Sequence, residues 1–389
     1  MFVAIDAVGI RGHGAAAVLC ELLQWLPRVR PEWRWHVFMF ERQLREFDDP
    51  PSVDSATIEQ TNRGDGGLDR LWWVRKELQK RVKSIGADVL LSLANIGSPA
   101  PAGHQVVFVQ QPNAFFDEGL PMFNVRRRVR LRFMRYQILC GARASRAVIV
   151  QTEAMRERMT HFAPDLNGRI HIIPSGYRTT PSNPFIRPEK RAIIDNAGRS
   201  RLIYVTHPAE HKNHTNLVQA LPRILKVFPN ASLLLTLEKD DAPDHRYRSF
   251  VKEIATLADS LLVSDHVVWL GILSADEVRY ALSNSDLMVF PSLSESFGLG
   301  QVESMAAGCP VAASDLPYAH DVLGEAGVYF DPHDPKSIAD VVISSLSNES
   351  LIASMKLTAA PMIERYSYEN IAEQIAVLMG QVSGGNNHV

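Results

Sequence analysis

Short apolar runs alternate with amphipathic stretches along the whole of this 389-residue chain, and that alternation restricts its fold more than any other feature. Unbroken apolar runs are how strands covered on both faces read, and the helical patterns between them are the crossovers that parallel strands require. In the first half the runs predict strands over 2–6, 35–40, 89–92, 105–110, 147–151 and 170–173. In the second half they predict strands over 202–206, 232–236, 267–270, 287–290, 310–313 and 328–330. Helical periodicity fills most of the gaps; over 213–227 it sets Leu217, Leu221, Ile224 and Leu225 on one face. Between the halves lies "RTTPSNPFIRPEKR" (178–191), with three prolines and no apolar period, the strongest linker signal in the chain. No repeat of 20–50 residues is visible, so any symmetry is architectural. The expectation is an α/β chain of two Rossmann-like, doubly wound domains facing a central cleft, with ligands beyond the strand C-termini.

Composition narrows the classes of function. A net charge of −2 with 22% charged residues argues against a general nucleic-acid binder. Cys20, Cys140 and Cys309 form no CxxC or Cys/His cluster, so neither a disulfide framework nor a zinc site is expected, and a reducing compartment fits. The start "MFVAIDAVGIRGHG" lacks the basic opening and apolar run of a signal peptide, and nowhere are there 18 consecutive apolar residues. A cytoplasmic protein is expected, with any membrane role played from the surface.

The stretch "SESFGLGQVESMAAGCP" (294–310) carries the most chemistry. A buried strand ends at Pro291, and a helix over 301–307 is closed by Gly308 and Pro310. Glu295 then lies in the strand-to-helix loop and Glu303 in the first turn of the helix. Amides from Phe297 to Gly300 at the helix N-terminus suit a phosphate, and the glycines allow close approach. Two carboxylates either side suit polyhydroxyl groups, a ribose at Glu303 and another sugar at Glu295. Read alone, the pair also fits helix-dipole complementation plus a solvated loop, or a glycosidase-like couple. A metal site fits less well, because no His or further Asp follows at ligand spacing.

The longer pattern "VFPSLSESFGLGQVESMAAGCPVAASDLPYAHDVLGEAGVYFDPHDPKSIAD" (289–340) resembles the donor half of glycosyltransferase family 4, retaining enzymes of GT-B fold. Glu295 and Glu303 match the two glutamates of that family's Glu, seven residues, Glu motif. "AVIVQTEAMRERM" (147–159) and "RIHIIPSGY" (169–177) are similar to the family's approach to its interdomain linker, and "MIERYSYENIAEQI" (362–375) to its closing helix. The resemblance is strong after residue 147 and weak before it. It implies an acceptor-binding domain over 1–180, a nucleotide-sugar-binding domain over 181–360 and a helix over 361–382 that crosses back to the first.

The resemblance also assigns roles. In "YVTHPAEHKNH" (204–214) Lys212 matches the lysine that offsets charge on the donor diphosphate, and His207 stands where arginine is common. Ser296, Phe297, Gly298 and Leu299 would line the donor, with Glu303 on the ribose and Glu295 on the sugar. Gly12 and His13, in the glycine loop "AVGIRGHGAAAV" (7–18), and Gln110, where many relatives carry histidine, are the candidates of the first domain. Glutamine neither gives nor takes a proton at ordinary pH, so no protonating role carries over to Gln110; it can still hydrogen-bond a sugar. In "PMFNVRRRVRLRFMRYQILCGARASR" (121–146), eight arginines and no acidic residue flank Val125, Val129, Phe133 and Tyr136 at helical spacing. Such a segment reads as a docking face for anionic lipid, an anionic-acceptor pocket, or a plain solvated face.

The expected function is transfer of a sugar, with retention and without metal or other cofactor, from a GDP- or UDP-linked nucleotide diphosphate sugar to an acceptor hydroxyl. The acceptor would be a glycan or lipid-linked sugar, in cell-surface polysaccharide or lipopolysaccharide assembly, and the enzyme a hexosyltransferase of mannosyltransferase type. It would be cytoplasmic, with a peripheral place on the inner membrane face open to it through an anionic surface. A GT-B epimerase of nucleotide sugars, a glycosidase, or a non-catalytic sugar-nucleotide-binding subunit stay as alternatives.

Overall fold

The computed structural model describes residues 1–10, 13–40, 56–64, 67–116, 124–178, 184–240 and 244–384. Two units divide the chain, one of Met1–Gly176 with the segment from Arg365 on, the other of Tyr177–Glu364.

The first unit holds a seven-stranded parallel sheet of β1 (Phe2–Asp6), β2 (Arg34–Phe40), β3 (Ala56–Thr61), β4 (Val89–Ser92), β5 (His104–Phe108), β6 (Ala147–Val150) and β7 (Ile170–Ile172). Their order is β3-β2-β1-β4-β5-β6-β7. All pairings are parallel, with Val3 opposite Val89 and Val106 opposite Ala147. "VLLS" and "AVIV" are buried along their whole length because helices cover both faces. β3 escapes the apolar-run criterion for the opposite reason: "ATIEQT" is an edge strand, only partly covered, so it mixes polar with apolar residues.

The second unit has a six-stranded parallel sheet of β8 (Arg201–Tyr204), β9 (Ser232–Leu235), β10 (Val267–Trp269), β11 (Leu287–Phe290), β12 (Val311–Ser314) and β13 (Gly327–Phe330), ordered β10-β9-β8-β11-β12-β13. Several strands stop one or two residues short of the apolar run, where the backbone leaves the ladder for the βα loop. In both sheets the chain winds outward to one edge and then restarts beside its first strand. The winding reverses between β1 and β4 and between β8 and β11, so neighbouring loops leave the sheet in opposite directions there and open a crevice at the strand C-termini.

Of the proline-rich stretch 178–191, residues 179–183 lie outside the described residues, and its last four residues are helical. Pro188 occupies the first turn of helix Pro188–Asp195, where its missing N–H costs nothing. Arg187 before it is clamped to buried Glu277, Nε to Oε1 at 2.7 Å and Nη2 to Oε2 at 2.7 Å. At the other end, helix Tyr368–Gly384 belongs to the first unit and packs on helix His13–Val29. Arg30 forks onto Glu373 at 2.7 and 2.6 Å there, and Ile371, Ile375 and Met379 are buried.

The first unit also buries an ion pair at its switch point. Asp6, the last residue of β1, accepts from Arg70 at 2.7 and 3.2 Å, from the Trp73 indole at 3.1 Å and from the Val8 amide at 3.2 Å. The arrangement fixes the start of the glycine loop that follows β1. Among the described residues no helix is long and apolar enough to cross a membrane, and the three cysteines are free thiols.

Candidate active site

Two βα loops meet at the switch point of the second unit. The first follows β8 and makes a short turn over Glu210–Lys212, after which Asn213 adopts a left-handed conformation, φ 58°. Its side-chain amide donates to the Pro291 carbonyl at 3.1 Å and the Pro332 carbonyl at 2.7 Å. The second loop follows β11, and its Leu293 amide donates to the His211 carbonyl at 2.7 Å. Below them Tyr204 donates to the Lys212 carbonyl at 2.9 Å and Tyr318 to the Ser292 carbonyl at 2.7 Å. Each loop is thereby held by hydrogen bonds to the other and to the sheet.

This scaffold brings Lys212 Nζ to 2.5 Å from Glu295 Oε1, with the two side chains only 10% and 12% exposed. Ser292 Oγ donates to the same Oε1 at 2.7 Å. Burial pushes the Glu295 carboxyl up, but the charges of Lys212 and His211 and the bonds from Lys212 and Ser292 outweigh it and hold the group below its usual range. The Tyr204 and Tyr318 hydroxyls titrate well above theirs, first through burial and then through the charge on Glu295. The site therefore presents the Glu295 carboxylate paired with Lys212, both largely withdrawn from solvent.

Beyond Glu295 the loop runs through Ser296 and Phe297, the latter 2% exposed, into helix Leu299–Ala306. Gly298 caps it at φ 85°, and a Cβ there would lie 2.3 Å from Gln301 Nε2, which donates to the Phe297 carbonyl at 3.1 Å. Only glycine meets both the conformation and the space. A Cβ on Gly300 would meet Met288 Cε at 2.9 Å, so the helix start lies against the sheet.

Because the helix begins at Leu299, Glu303 stands in its second turn rather than its first. Its surroundings differ from those of Glu295: it borders a hollow lined by Tyr177, Arg178, Val278, Arg279 and Leu282. Burial raises its carboxyl above the usual range, and the charges of Arg178 and Arg279 offset that only in part. Arg279 Nη2 is itself committed to the Arg178 carbonyl at 2.9 Å.

Lys212 thus meets Glu295, Ser296 to Gly298 carry the same loop on to the helix that Leu299 begins, Glu303 lies a turn further along that helix, and His207 is exposed on the β8 loop. In the first unit Gln110 follows β5, its amide accepted by Asn95 Oδ1 at 2.6 Å and its Nε2 donating to the Leu93 carbonyl at 3.4 Å. Gly12 lies outside the described residues, as does the side chain of His13, which opens its helix. Sequence reasoning missed Ser292, Tyr204, Tyr318, Arg178 and Arg279. Ser292, three residues before Glu295 in a loop, carried a local signal; the others reach the site from distant parts of the chain. Among the described residues no three His, Cys, Asp or Glu side chains gather in a way that could hold a metal ion.

Residues 186–360 match the family described as "Glycosyl transferases group 1". Among curated relatives, the phosphatidyl-myo-inositol mannosyltransferase of Mycobacterium leprae is 29% identical over 181 residues, 46% of this chain and 45% of that protein. The D-inositol 3-phosphate glycosyltransferase of Rhodococcus opacus is 27% identical over 235 residues, 60% of this chain and 52% of that one. The match thus spans about half the length of these relatives. Among solved structures, sucrose-phosphate synthase from Thermosynechococcus elongatus has a TM-score of 0.76 at 16% identity, covering 99% of this chain and 100% of that one. WaaG, a glycosyltransferase involved in lipopolysaccharide biosynthesis, has a TM-score of 0.69 at 17% identity, covering 97% and 99%. At these identities the likeness is one of fold, two parallel-sheet α/β units of the GT-B class.

Proposed function

On the match of residues 186–360 to the group 1 glycosyl transferases, we propose that the chain is such an enzyme and moves a hexosyl group, of mannosyl type, from a nucleotide diphosphate sugar to an acceptor hydroxyl with retention. The observation that carries this reading is the state of Glu295. Both of its hydrogen bonds, from Lys212 and Ser292, end on Oε1, which leaves Oε2 to accept from a hydroxyl of the donor sugar. Lys212 spends one of its three protons on Glu295 and keeps the others for a donor phosphate. Amides at the start of helix Leu299–Ala306 supply further donors, and Glu303 takes the ribose.

In the reaction the bond from the anomeric carbon to the phosphate oxygen breaks with its electron pair staying on the phosphate. The acceptor oxygen bonds to the same face of that carbon, and the acceptor proton passes to the departing phosphate. Lys212 and the helix-end amides stabilise the charge that builds there, so neither a protein nucleophile nor a metal ion is required. Glu295 has two tasks: it grips the sugar and aims the lysine. The acceptor, a glycan or lipid-linked sugar of cell-surface polysaccharide assembly, belongs to the first unit, and the enzyme works on the cytoplasmic side of the membrane.

Calorimetric titration with GDP, UDP, ADP and their sugar conjugates, followed by transfer assays in EDTA, tests the reading. Glu303→Ala should weaken nucleotide binding by about 1–3 kcal/mol, the cost of a lost charged hydrogen-bond partner. Glu295→Gln should still bind the free nucleotide diphosphate while turnover falls. Loss of free-nucleotide binding in Glu295→Gln would remove the sugar contact, and activity abolished by EDTA and restored by manganese would remove the metal-free mechanism.

A further inference from the structure

Gln301, in the first turn of helix Leu299–Ala306, is wholly buried, yet only one end of its side chain is satisfied. Nε2 donates to the Phe297 carbonyl at 3.1 Å and, more weakly, to the Gly298 carbonyl at 3.4 Å. Oε1 is buried with no hydrogen-bond partner among the described residues. Which end is which is fixed, because a carbonyl can only accept and the two carbonyls therefore face the amino group. An apolar side chain of the same length would fill this place without stranding an oxygen, so packing alone does not account for an amide here. The two bonds act on the turn before the helix. In a trans peptide the C=O and the N–H point to opposite sides. Holding the Phe297 carbonyl against Gln301 thus turns the Gly298 N–H away from it, and holding the Gly298 carbonyl does the same for the Leu299 N–H. Gly298 is left-handed, φ 85° and ψ 64°, and Leu299 opens the right-handed helix. Such a change of hand sets successive amides around a concavity suited to an anion. The amides of Gly298, Leu299 and Gly300 precede the first intrahelical acceptor, and none has a backbone partner among the described residues.

We propose that Gln301 is a positioning residue for the donor diphosphate: from inside the helix it holds the carbonyls of the glycine turn inward, so that the amides of Gly298 and Leu299 face the phosphate before it arrives. The inference rests on the reading of the chain as a nucleotide-sugar-dependent transferase and adds to it the group that sets the direction of the phosphate donors. Donors fixed in advance cost no reorganisation when charge builds on the departing phosphate. Gly298 is the other half of the device. A Cβ there would lie 2.3 Å from Gln301 Nε2, so the amide reaches the two carbonyls only across a glycine. Without the two Nε2 bonds these peptide planes are free to turn. A turned plane presents its carbonyl oxygen, which repels a phosphate, where the N–H had been.

The full chain is titrated with GDP, UDP and ADP by calorimetry, and with guanosine, uridine and adenosine by saturation-transfer NMR, which detects weak binding. Gln301→Met keeps the length of the side chain and removes its donor; Gln301→Leu is a second apolar replacement. In both, affinity for the diphosphate that wild type binds should fall about ten- to a hundredfold, the effect of losing a hydrogen bond to a charged group. Binding of the matching nucleoside should be unchanged, because it has no phosphate to meet the turn. Diphosphate binding as tight as in wild type overturns the role of Gln301 and leaves the transferase reading standing. An equal loss of diphosphate and nucleoside, with a lower melting temperature, makes Gln301 a structural cap and also overturns it. Wild-type protein that binds none of the three diphosphates overturns the donor reading and this inference with it. A further measurement needs no variant: the Gly298 and Leu299 amide resonances of wild type should move downfield when the diphosphate is added. Resonances that stay in place show that these amides do not meet the phosphate, and the proposal fails.

Discussion

His214, two positions after Lys212, is buried between the rings of Tyr204 and Phe250, at 5.0 and 5.4 Å, and neither ring nitrogen has a hydrogen-bond partner among the described residues. Burial, then the charges of Lys212, His207 and His211, push its pKa down to about 3. Above about pH 6.5 the ring is neutral folded or unfolded and contributes no pH dependence. As pH falls from there towards 3, the unfolded chain takes up a proton that the folded one refuses, and stability drops by up to ~1.4 kcal/mol per pH unit. His214→Phe should remove this loss: in urea unfolding, its stability relative to wild type should rise by about 2 kcal/mol between pH 7 and pH 5. Parallel pH profiles would disprove the buried neutral state. The two motif glutamates shift in opposite directions. Glu295, held low, stabilises the fold above its unfolded pKa, and that contribution is lost as pH falls through its folded value. Glu303, held high, favours the fold below its unfolded pKa and loses that as pH rises through its folded value. Glu303→Gln should therefore raise the melting temperature of the ligand-free protein at neutral pH while weakening nucleotide binding, a combination that a purely structural glutamate would not show. Sequence spacing picked out both carboxylates; their opposite environments depend on Lys212 and Arg279, which spacing does not reveal.

At the scale of elements, the glutamate helix rests on its cap. Gly298→Ala would put a side chain in the left-handed region and drive its Cβ into Gln301, breaking the tie to the Phe297 carbonyl. A loss of about 1–3 kcal/mol in denaturant unfolding is expected, with a fall in turnover as the donor loop shifts. A variant as stable as wild type would show that the loop is not constrained there. Strand and helix were both legible around this turn, but the helix start was read two residues late. Glycine has poor helix propensity, so Leu299-Gly300 looks like loop until packing of Gly300 against Met288 and Phe290 holds it helical. Edge strand β3 was lost for a related reason: its half-exposed residues have no continuous apolar run to betray them. The arginine-rich helix Val125–Arg143 was a half-read case: 3.6-residue periodicity set Val125, Val129, Phe133 and Tyr136 on one face with arginines beside them, whereas the buried stripe of Leu131, Ile138 and Ala142 was not read.

In the whole molecule, the C-terminal helix is covalently an extension of the second unit and structurally a part of the first. Tyr368, Ile371, Ile375, Leu378 and Met379 are all buried, and at roughly 1.5–3 kcal/mol each their removal costs on the order of 10 kcal/mol, comparable with the stability of a whole domain. Ending the chain after Glu364 should therefore unfold the first unit and leave the second, Tyr177–Glu364, with its own calorimetric transition; a single unshifted transition would contradict this division. The chain's local order was sufficient for the two-sheet α/β class, because burial of a strand on both faces leaves its mark in consecutive residues. It was sufficient, too, for the glutamate motif and the exposed face of the arginine-rich helix, which lie within a few turns of chain. Periodicity says that a face is covered, not by what. The winding reversal at β8 and β11, the 2.5 Å contact between Lys212 and Glu295, the ion pair of Asp6 with Arg70 and the return of the last helix each join residues more than 60 positions apart. Only tertiary packing decided them, because a contact that closes a long loop imposes no period on the residues it joins.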